Sequence, residues 1–242
     1  MDWKISQDYY REEEITSNGN KYFIGNGYLG IRGALQEYDK SGYPAINLAG
    51  IYDRYQDGWR EPLNAPNGLY TYITVDGIPL KLPEQNPAGH SQELDLRHGI
   101  FSRTTTWEIG GKQVTIHGEQ FASMPLTHLI GLKYSVTINC DCDISIVTGI
   151  DGDVWDIHGP HYKEIELKKR DTQMIGSFIT NEGDKVGICE EIFSDFKAEE
   201  TILEEDKKLL RRLSIKAKKG STYVFTKYIC IFTSNDTNSP CK

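Results

Sequence analysis

Apolar residues alternate with polar ones along most of this chain, which is the pattern of β-strands with one buried face. In the clearest stretch, Trp107 and Ile109 alternate with polar neighbours before Gly110-Gly111. Val114 and Ile116 continue the alternation after the two glycines. A Gly-Gly pair supplies the positive φ angles of a two-residue hairpin turn. The sequence therefore predicts a β-hairpin centred on this pair, and period-two patterning sets the class of fold.

The same alternation predicts strands along the rest of the chain, at 132–138, 144–148, 174–180, 186–193, 213–217 and 223–232. Residues 199–213 contain leucines among charges but lack good helix start and end signals, so they are predicted to be loop and strand. The first 25 residues and the segment 58–66 are predicted to be irregular. Many strands at short intervals favour an all-β fold, a large antiparallel sandwich with little helix.

No linker-like stretch divides the 242 residues, and a large sandwich can exceed about 200 residues as one domain. The polar segment near the end of the chain is typical of a linker. We therefore expect one sandwich domain at 1–235, with 236–242 as the start of a linker.

Charge and composition exclude several classes of protein. Lys and Arg number 27 against 35 Asp and Glu, so an acidic chain of net charge −8 is not expected to bind nucleic acid. The sequence contains no apolar run of the roughly 18 residues that cross a bilayer, so no membrane partner is expected. Residues 1–5 lack the pattern of a secretory signal, which favours a cytoplasmic protein with reduced thiols. Five cysteines are an odd number, and Cys140-Asp141-Cys142 lacks zinc-site spacing, so no metal is predicted.

The segment Gly25–Gly30 matches the G-x-G-x-x-G pattern of dinucleotide-binding proteins. That pattern needs a helix directly after it, on whose N-terminus the pyrophosphate sits. Here Ile31–Ala34 leads instead into a turn-rich segment. The glycines are therefore predicted to form a tight turn with close strand packing.

The segment Asp151–His161 is the strongest candidate site. It places Trp155 and Asp156 close to His158 and His161 after an apolar strand, and glycine and proline shape its backbone. A planar ring beside carboxylates suits a sugar, which both stacks and forms hydrogen bonds. An ordinary Asp/Gly-rich loop that caps its own backbone is an equally good interpretation, and the sequence leaves both open.

Five motifs, taken in order, resemble the N-terminal domain of glycoside hydrolase family 65. They are Asn26–Gly33, Leu48–Tyr52, Leu63–Asn67, Val75–Gly77 and Gly149–Trp155. The resemblance runs from about Tyr9 to Ser234, which is nearly the whole chain. That family contains inverting phosphorylases of maltose, trehalose, kojibiose and nigerose.

The resemblance implies a galactose mutarotase-like β-supersandwich that precedes an (α/α)6 catalytic barrel in the same parent chain. A Glu of that barrel is the family's general acid, and inorganic phosphate is the co-substrate in place of activated water. No position here matches that Glu, so no catalytic residue is assigned, and this chain is expected to be inactive alone. We expect no metal and no organic cofactor, and we expect the parent enzyme to be a homodimer. Trp155, Asp156, His158 and His161 are the candidate residues for binding a disaccharide or glucose-type sugar.

Two alternatives remain at this point. A stand-alone carbohydrate-binding module would use the same Trp and Asp surface. A sugar mutarotase or epimerase would use His158 or His161 with a carboxylate as acid and base. Both rest on fold analogy alone.

Overall fold

The computed structural model describes residues 3–237 and 239–240. Strands dominate this part of the chain, and its one α-helix is α1 (Ile15–Lys21), which follows a 3-10 turn at Glu12–Glu14 and precedes another at Lys40–Gly42. The strands are β1 (Lys4–Gln7), β2 (Ile24–Gly25), β3 (Leu29–Ile31), β4 (Ile46–Arg54), β5 (Arg60–Asn64), β6 (Thr71–Val75), β7 (Ile78–Leu80), β8 (Gly89–Asp95), β9 (Ile100–Ile109), β10 (Lys112–Ala122), β11 (Leu129–Ile138), β12 (Cys142–Asp151), β13 (Tyr162–Arg170), β14 (Gln173–Thr180), β15 (Lys185–Ser194), β16 (Glu199–Glu205), β17 (Lys208–Ala217) and β18 (Thr222–Thr233).

The strands form three antiparallel sheets. The largest has nine strands in the order β1-β8-β9-β10-β11-β18-β15-β14-β13. A five-stranded sheet has the order β16-β17-β12-β6-β7, and a four-stranded sheet has the order β2-β3-β4-β5. The prediction of a large antiparallel all-β fold with little helix is confirmed.

One hydrophobic core joins the three sheets. Ile116 and Val136 come from the nine-stranded sheet, Ile146 from the five-stranded sheet and Ile46 from the four-stranded sheet, and all four are buried in the same cluster. The two smaller sheets therefore pack against the large one as the second layer of a sandwich.

Local patterns correctly identified the hairpins. Strands β9 and β10 pair across Gly110 and Gly111, whose φ angles are 56° and 77°. Strands β14 and β15 match the strands predicted at 174–180 and 186–193, and they pair with each other. Residues 199–213 contain β16, a turn and much of β17. The strands predicted at 132–138 and 144–148 both exist, but they belong to different sheets, so the short segment between them crosses from one layer to the other.

Both predictions of irregular structure were wrong. The first 25 residues contain β1 and α1, and 58–66 contains β5. Strand β1 pairs with β8, where Lys4 lies opposite Asp95, and no local pattern reveals a partner so distant along the chain. Helix α1 has no apolar stripe, and its buried Gly19 lies where a Cβ would be 2.5 Å from Nη2 of Arg32. Tertiary packing therefore overrides local propensity here.

Buried charges connect the layers close to the end of β12. Arg211 of the five-stranded sheet donates from Nη2 to Oε1 of Glu190 in the nine-stranded sheet, at 2.5 Å. Lys227 donates from Nζ to Oγ1 of Thr148 at 2.9 Å, and burial lowers the pKa of Lys227 to about 8. Buried charges are tolerated when they are paired in this way. The network fixes β12, from which the candidate site begins.

None of the helices in the described ranges is long and apolar enough to cross a bilayer. The proposed division into a domain at 1–235 and a linker at 236–242 stays a prediction. Asp236 accepts a hydrogen bond from the backbone N–H of Thr233 at 2.7 Å. Residues 238, 241 and 242 lie outside the described residues.

Candidate functional site

The Trp155 loop (residues 152–161) connects β12 to β13 and lies over the hairpin of β4 and β5. Asp156 accepts a hydrogen bond from the backbone N–H of Asn64 on Oδ2 at 3.0 Å, and the Asn64 side chain donates to the carbonyl oxygen of Trp155 at 3.0 Å. A bridge between Asp156 and Gly159 closes the tip of the loop. Residues about 90 positions apart along the chain therefore fix the loop's course.

His161 anchors the end of the loop. Its side chain is only 2% exposed, and it lies between the carboxylates of two residues of the hairpin. Nδ1 is 2.8 Å from Oδ2 of Asp53, and Nε2 is 2.8 Å from Oε1 of Glu61. A third carboxylate, that of Asp156, lies 3.6 Å from Nε2. In the imidazolium form both nitrogens donate, so the protonated ring bridges two buried carboxylates.

The pKa values in this cluster follow from burial and pairing. Burial alone would lower the pKa of His161, but the hydrogen bonds to Glu61 and Asp53 outweigh it and the pKa is raised. Burial would raise the pKa of Asp53, but the backbone N–H of Glu182 and the ring of His161 lower it. Burial raises the pKa of Asp156 to about 6. The cluster therefore favours the protonated form of His161 and the ionised forms of Asp53 and Glu61, and the carboxyl of Asp156 is protonated more readily than usual.

One group of possible metal-ligand atoms was found among the described residues: Glu61, Asp156 and His161, whose donor atoms lie within 4.8 Å of one another. His161 would have to give up its proton and its hydrogen bond to Glu61 to bind an ion, since only neutral imidazole is a ligand. The raised pKa of His161 opposes that step. The donor set thus suits a proton better than a metal ion.

A groove of about 790 Å³ opens beside the loop. Trp155, Asp156 and Ile157 form one wall, and Tyr43 and Pro62 are among the residues that line the rest. Trp155 is 46% exposed, although Nζ of Lys40 lies over its ring, 5.4 Å from the centroid. The groove thus combines aromatic surface with a carboxyl group, as small-molecule sites do.

The four predicted site residues lie in one loop but differ in accessibility. Trp155 and Asp156 line the groove. His158 packs edge-on against Trp59, with ring centroids 4.3 Å apart, and its backbone N–H donates to Glu61 at 3.0 Å. His161 is buried, and it holds the loop against the β4–β5 hairpin rather than lining the groove. Hydrogen bonds to the β4–β5 hairpin hold the loop, and Trp155 remains partly exposed. The role of these four residues in binding a sugar stays a prediction.

Sequence reasoning did not assign Asp53 and Glu61 to the site. They lie 108 and 100 positions before His161. The alternation of buried and exposed residues along β4 and β5 could have indicated them in part, because each carboxylate occupies an inward-facing position of its strand. Both are nearly fully buried. A buried carboxylate requires a partner, although the pattern does not say which.

The glycine-rich segment Gly25–Gly30 forms the turn between β2 and β3, as predicted. Asn26 accepts hydrogen bonds from the backbone N–H groups of Tyr28 and Leu29, at 3.0 and 2.8 Å, and Gly27 has a φ of 91°. Strand β3, not a helix, follows. The helix that a dinucleotide-binding site needs directly after this pattern is therefore not formed here.

The described cysteines, Cys140, Cys142, Cys189 and Cys230, are free thiols. Cys241 lies outside the described residues.

The sequence that forms this fold matches a known class of protein domain. The family model described as glycosyl hydrolase family 65, N-terminal domain, matches residues 5–242. The chain therefore belongs to glycosyl hydrolase family 65, as an N-terminal domain of that family.

Two curated relatives specify the similarity. The chain is 44% identical to nigerose phosphorylase of Lachnoclostridium phytofermentans, over 98% of this chain and 34% of that protein. It is 31% identical to 1,2-alpha-glucosylglycerol phosphorylase of Bacillus selenitireducens, over 98% of this chain and 31% of that protein. The chain thus spans about a third of the length of these relatives.

A solved structure supports the fold. The structure of a candidate kojibiose phosphorylase from the human microbiome superposes with a TM-score of 0.85 at 16% identity, over 98% of this chain and 33% of that one. At this identity the likeness establishes the fold alone. The expected fold of the family is thereby confirmed.

Proposed function

We propose that this chain is the non-catalytic N-terminal domain of an inverting disaccharide phosphorylase. In that enzyme it supports an (α/α)6 catalytic barrel, which uses inorganic phosphate as co-substrate, and its Trp155 loop borders the sugar site. The observation that carries the proposal is the 44% identity to a nigerose phosphorylase, which covers nearly all of this chain but only a third of the relative. A similar α-linked glucoside is the substrate class that the relatives' names favour, and the parent enzyme forms a homodimer.

The loop's geometry supports a role beside a sugar. Trp155 offers a partly exposed ring and Asp156 an adjacent carboxyl in the groove. His158 and His161 contribute by holding the loop against the hairpin, since both contact Glu61. A rigid aromatic wall can exclude water and orient a sugar ring at little cost in conformational entropy.

The proposal is tested by comparing this chain with the longer protein encoded by the same gene. Each is incubated with phosphate and nigerose, kojibiose, maltose, trehalose or glucosylglycerol, and release of glucose 1-phosphate is measured. We expect release by the longer protein with at least one substrate and none by the 242 residues alone. Turnover by the isolated chain would refute the proposal.

One observation favours a second candidate, a stand-alone carbohydrate-binding module. The groove is already formed in this chain, and the partly exposed Trp155 lines it. Titration of the isolated chain with nigerose or kojibiose separates the two functions. A binding module gives a saturable signal that Trp155→Ala abolishes, whereas a domain that completes its sugar site with a barrel gives none.

A further inference from the structure

The four-stranded sheet has an outer face that nothing in the described chain covers. Strand alternation turns the apolar side chains of Ile24, Leu29 and Leu48 into the core, where each is at most 4% exposed. The residues between them point outward. They form the outer face, defined here as Phe23, Gly25, Gly30, Asn47, Ala49, Tyr52 and Pro62.

None of these seven residues is charged. The next outward positions of β4 and β5, toward the turn of the hairpin, are Arg54 and Arg60, which pair with Glu182 and form a charged rim. Phe23 is 43% exposed and Tyr52 is 46% exposed. The exposed side of β13 in the same chain carries Glu164, Glu166 and Lys168 instead. A contiguous uncharged surface with exposed aromatic rings is typical of an interface.

The surface is also flat, which favours close packing. The ring of Phe23 lies on the backbone of the hairpin, since a Cβ at Gly30 would be 2.5 Å from its Cζ. Gly25 and Ala49 add little side chain beside it, and both are exposed. A partner can therefore approach the sheet backbone directly.

The groove lies at one end of the outer face. Phe23, Asn47 and Pro62 belong both to the outer face and to the lining of the groove. Trp155 and Ile157 rise at its edge, and Ile157 is 81% exposed. A partner seated on the outer face would therefore also contact the Trp155 loop.

The end of the described chain lies at the other end of this face. Asp236 accepts a hydrogen bond from the hydroxyl of Tyr28 at 2.5 Å, and Asn235 donates from its side chain to the carbonyl oxygen of Gly50 at 3.1 Å. Tyr28 and Gly50 flank β3 and Ala49. Polypeptide continuing beyond this point therefore starts beside the outer face.

We infer that the outer face is the docking surface for the catalytic domain that follows in the same chain, and that docking there places the Trp155 loop against that domain. The inference rests on the proposed function, because the occupant is the remaining two-thirds of a phosphorylase of the relatives' length. The position of Asn235 and Asp236 beside this face selects a domain of the same chain over a separate protein.

Hydroxyl-radical footprinting of the longer protein and of this chain alone tests the surface. We expect oxidation of Phe23 and Tyr52 to be several-fold slower in the longer protein. Phe193, which is 56% exposed on the nine-stranded sheet, is expected to react equally in both. Equal reactivity of Phe23 and Tyr52 in both proteins would overturn the inference, as would protection in the isolated chain that grows with its concentration, since that result identifies a second copy as the occupant.

A pair of variants gives a second test. Ala49→Glu places a carboxylate on the outer face, and Thr201→Glu places one at an exposed position of β16 in another sheet. Both are expected to leave the melting temperature of the isolated chain unchanged, because each position is exposed. In the longer protein only Ala49→Glu should restore oxidation of Phe23. Identical footprints for the two variants would contradict the inference.

The two proposals fail separately. Absence of phosphorolysis by the longer protein counts against the proposed function. The footprint of Phe23 and Tyr52 decides the docking surface whether or not the enzyme turns over.

Discussion

Replacement of His161 by Gln tests whether the ion cluster anchors the Trp155 loop. The substitution leaves Asp53 and Glu61 buried without their shared cation. Removing one partner of a buried ion pair costs about 3–5 kcal/mol. Asp53 keeps the hydrogen bond from the backbone N–H of Glu182 at 2.8 Å, and Glu61 keeps that from His158 at 3.0 Å. The loss should therefore lie near the lower end of that range.

A loss of about 3 kcal/mol corresponds to a fall of about 6–12 °C in the melting temperature of a domain of this size. Differential scanning calorimetry near pH 6 measures it. His98→Gln is the matched control, because His98 forms a similar 2.8 Å contact with Asp95 but is 62% exposed. The His98→Gln variant should have the same melting temperature as the wild type. Equal melting temperatures for His161→Gln and His98→Gln would refute the anchoring role.

The pH dependence of the same difference has a defined sign. Because the pKa of His161 is raised above 6.5, its stabilising contribution is complete below that pH and is lost as the pH rises through the folded-state value. The pKa values of Asp53 and Glu61 are lowered from 3.8 and 4.5, so their contribution is lost only in more acidic solution. The difference between wild type and His161→Gln should therefore be largest between pH 4.5 and 6.5. A difference that increases toward pH 9 would contradict this assignment.

Three further predictions concern other positions. Asp156→Asn should raise the melting temperature at pH 7.5 but not at pH 4. Burial raises the pKa of Asp156 to about 6, so ionisation of this carboxyl destabilises the wild type at pH 7.5, whereas Asn stays neutral. Thermal melts at both pH values measure the difference. Gly149→Ala should destabilise the domain by about 2 kcal/mol or more in a denaturant titration, because its Cβ would clash with the carbonyl oxygen of Leu209. Gly89→Ala is the control and should leave stability unchanged, because the space beside Gly89 is open. In the longer enzyme, Trp155→Ala should raise the KM for the sugar about fivefold through lost stacking, and Trp3→Ala should not.

The fold could be predicted from sequence where the stabilising partner is close in the chain. The Gly110-Gly111 turn joins strands that pair with each other, so one short window contains the whole unit. Strands β11 and β12 were found by their alternation, but the window could not show that they enter different sheets. Strand β1 was missed because its partner β8 is some 90 residues away.

The site was predictable only in part for the same reason. Trp155 and His161 stand out because aromatic and ionisable residues cluster in one segment. The burial of His161 depends on Asp53 and Glu61, which come from another hairpin. Family resemblance identified the domain but could not separate a residue that faces the groove from one that holds the loop. That distinction comes from burial and hydrogen bonds.

The division of the Trp155 loop into a fixed base and a free tip has a consequence for the substitutions that the loop tolerates. Asp156, His158 and His161 are hydrogen-bonded to the β4–β5 hairpin, whereas Ile157 at the tip is 81% exposed. Exchange of an exposed side chain usually changes stability by no more than about 0.5 kcal/mol. Substitutions at Ile157 can therefore change the surface that the loop presents without weakening the domain that carries it.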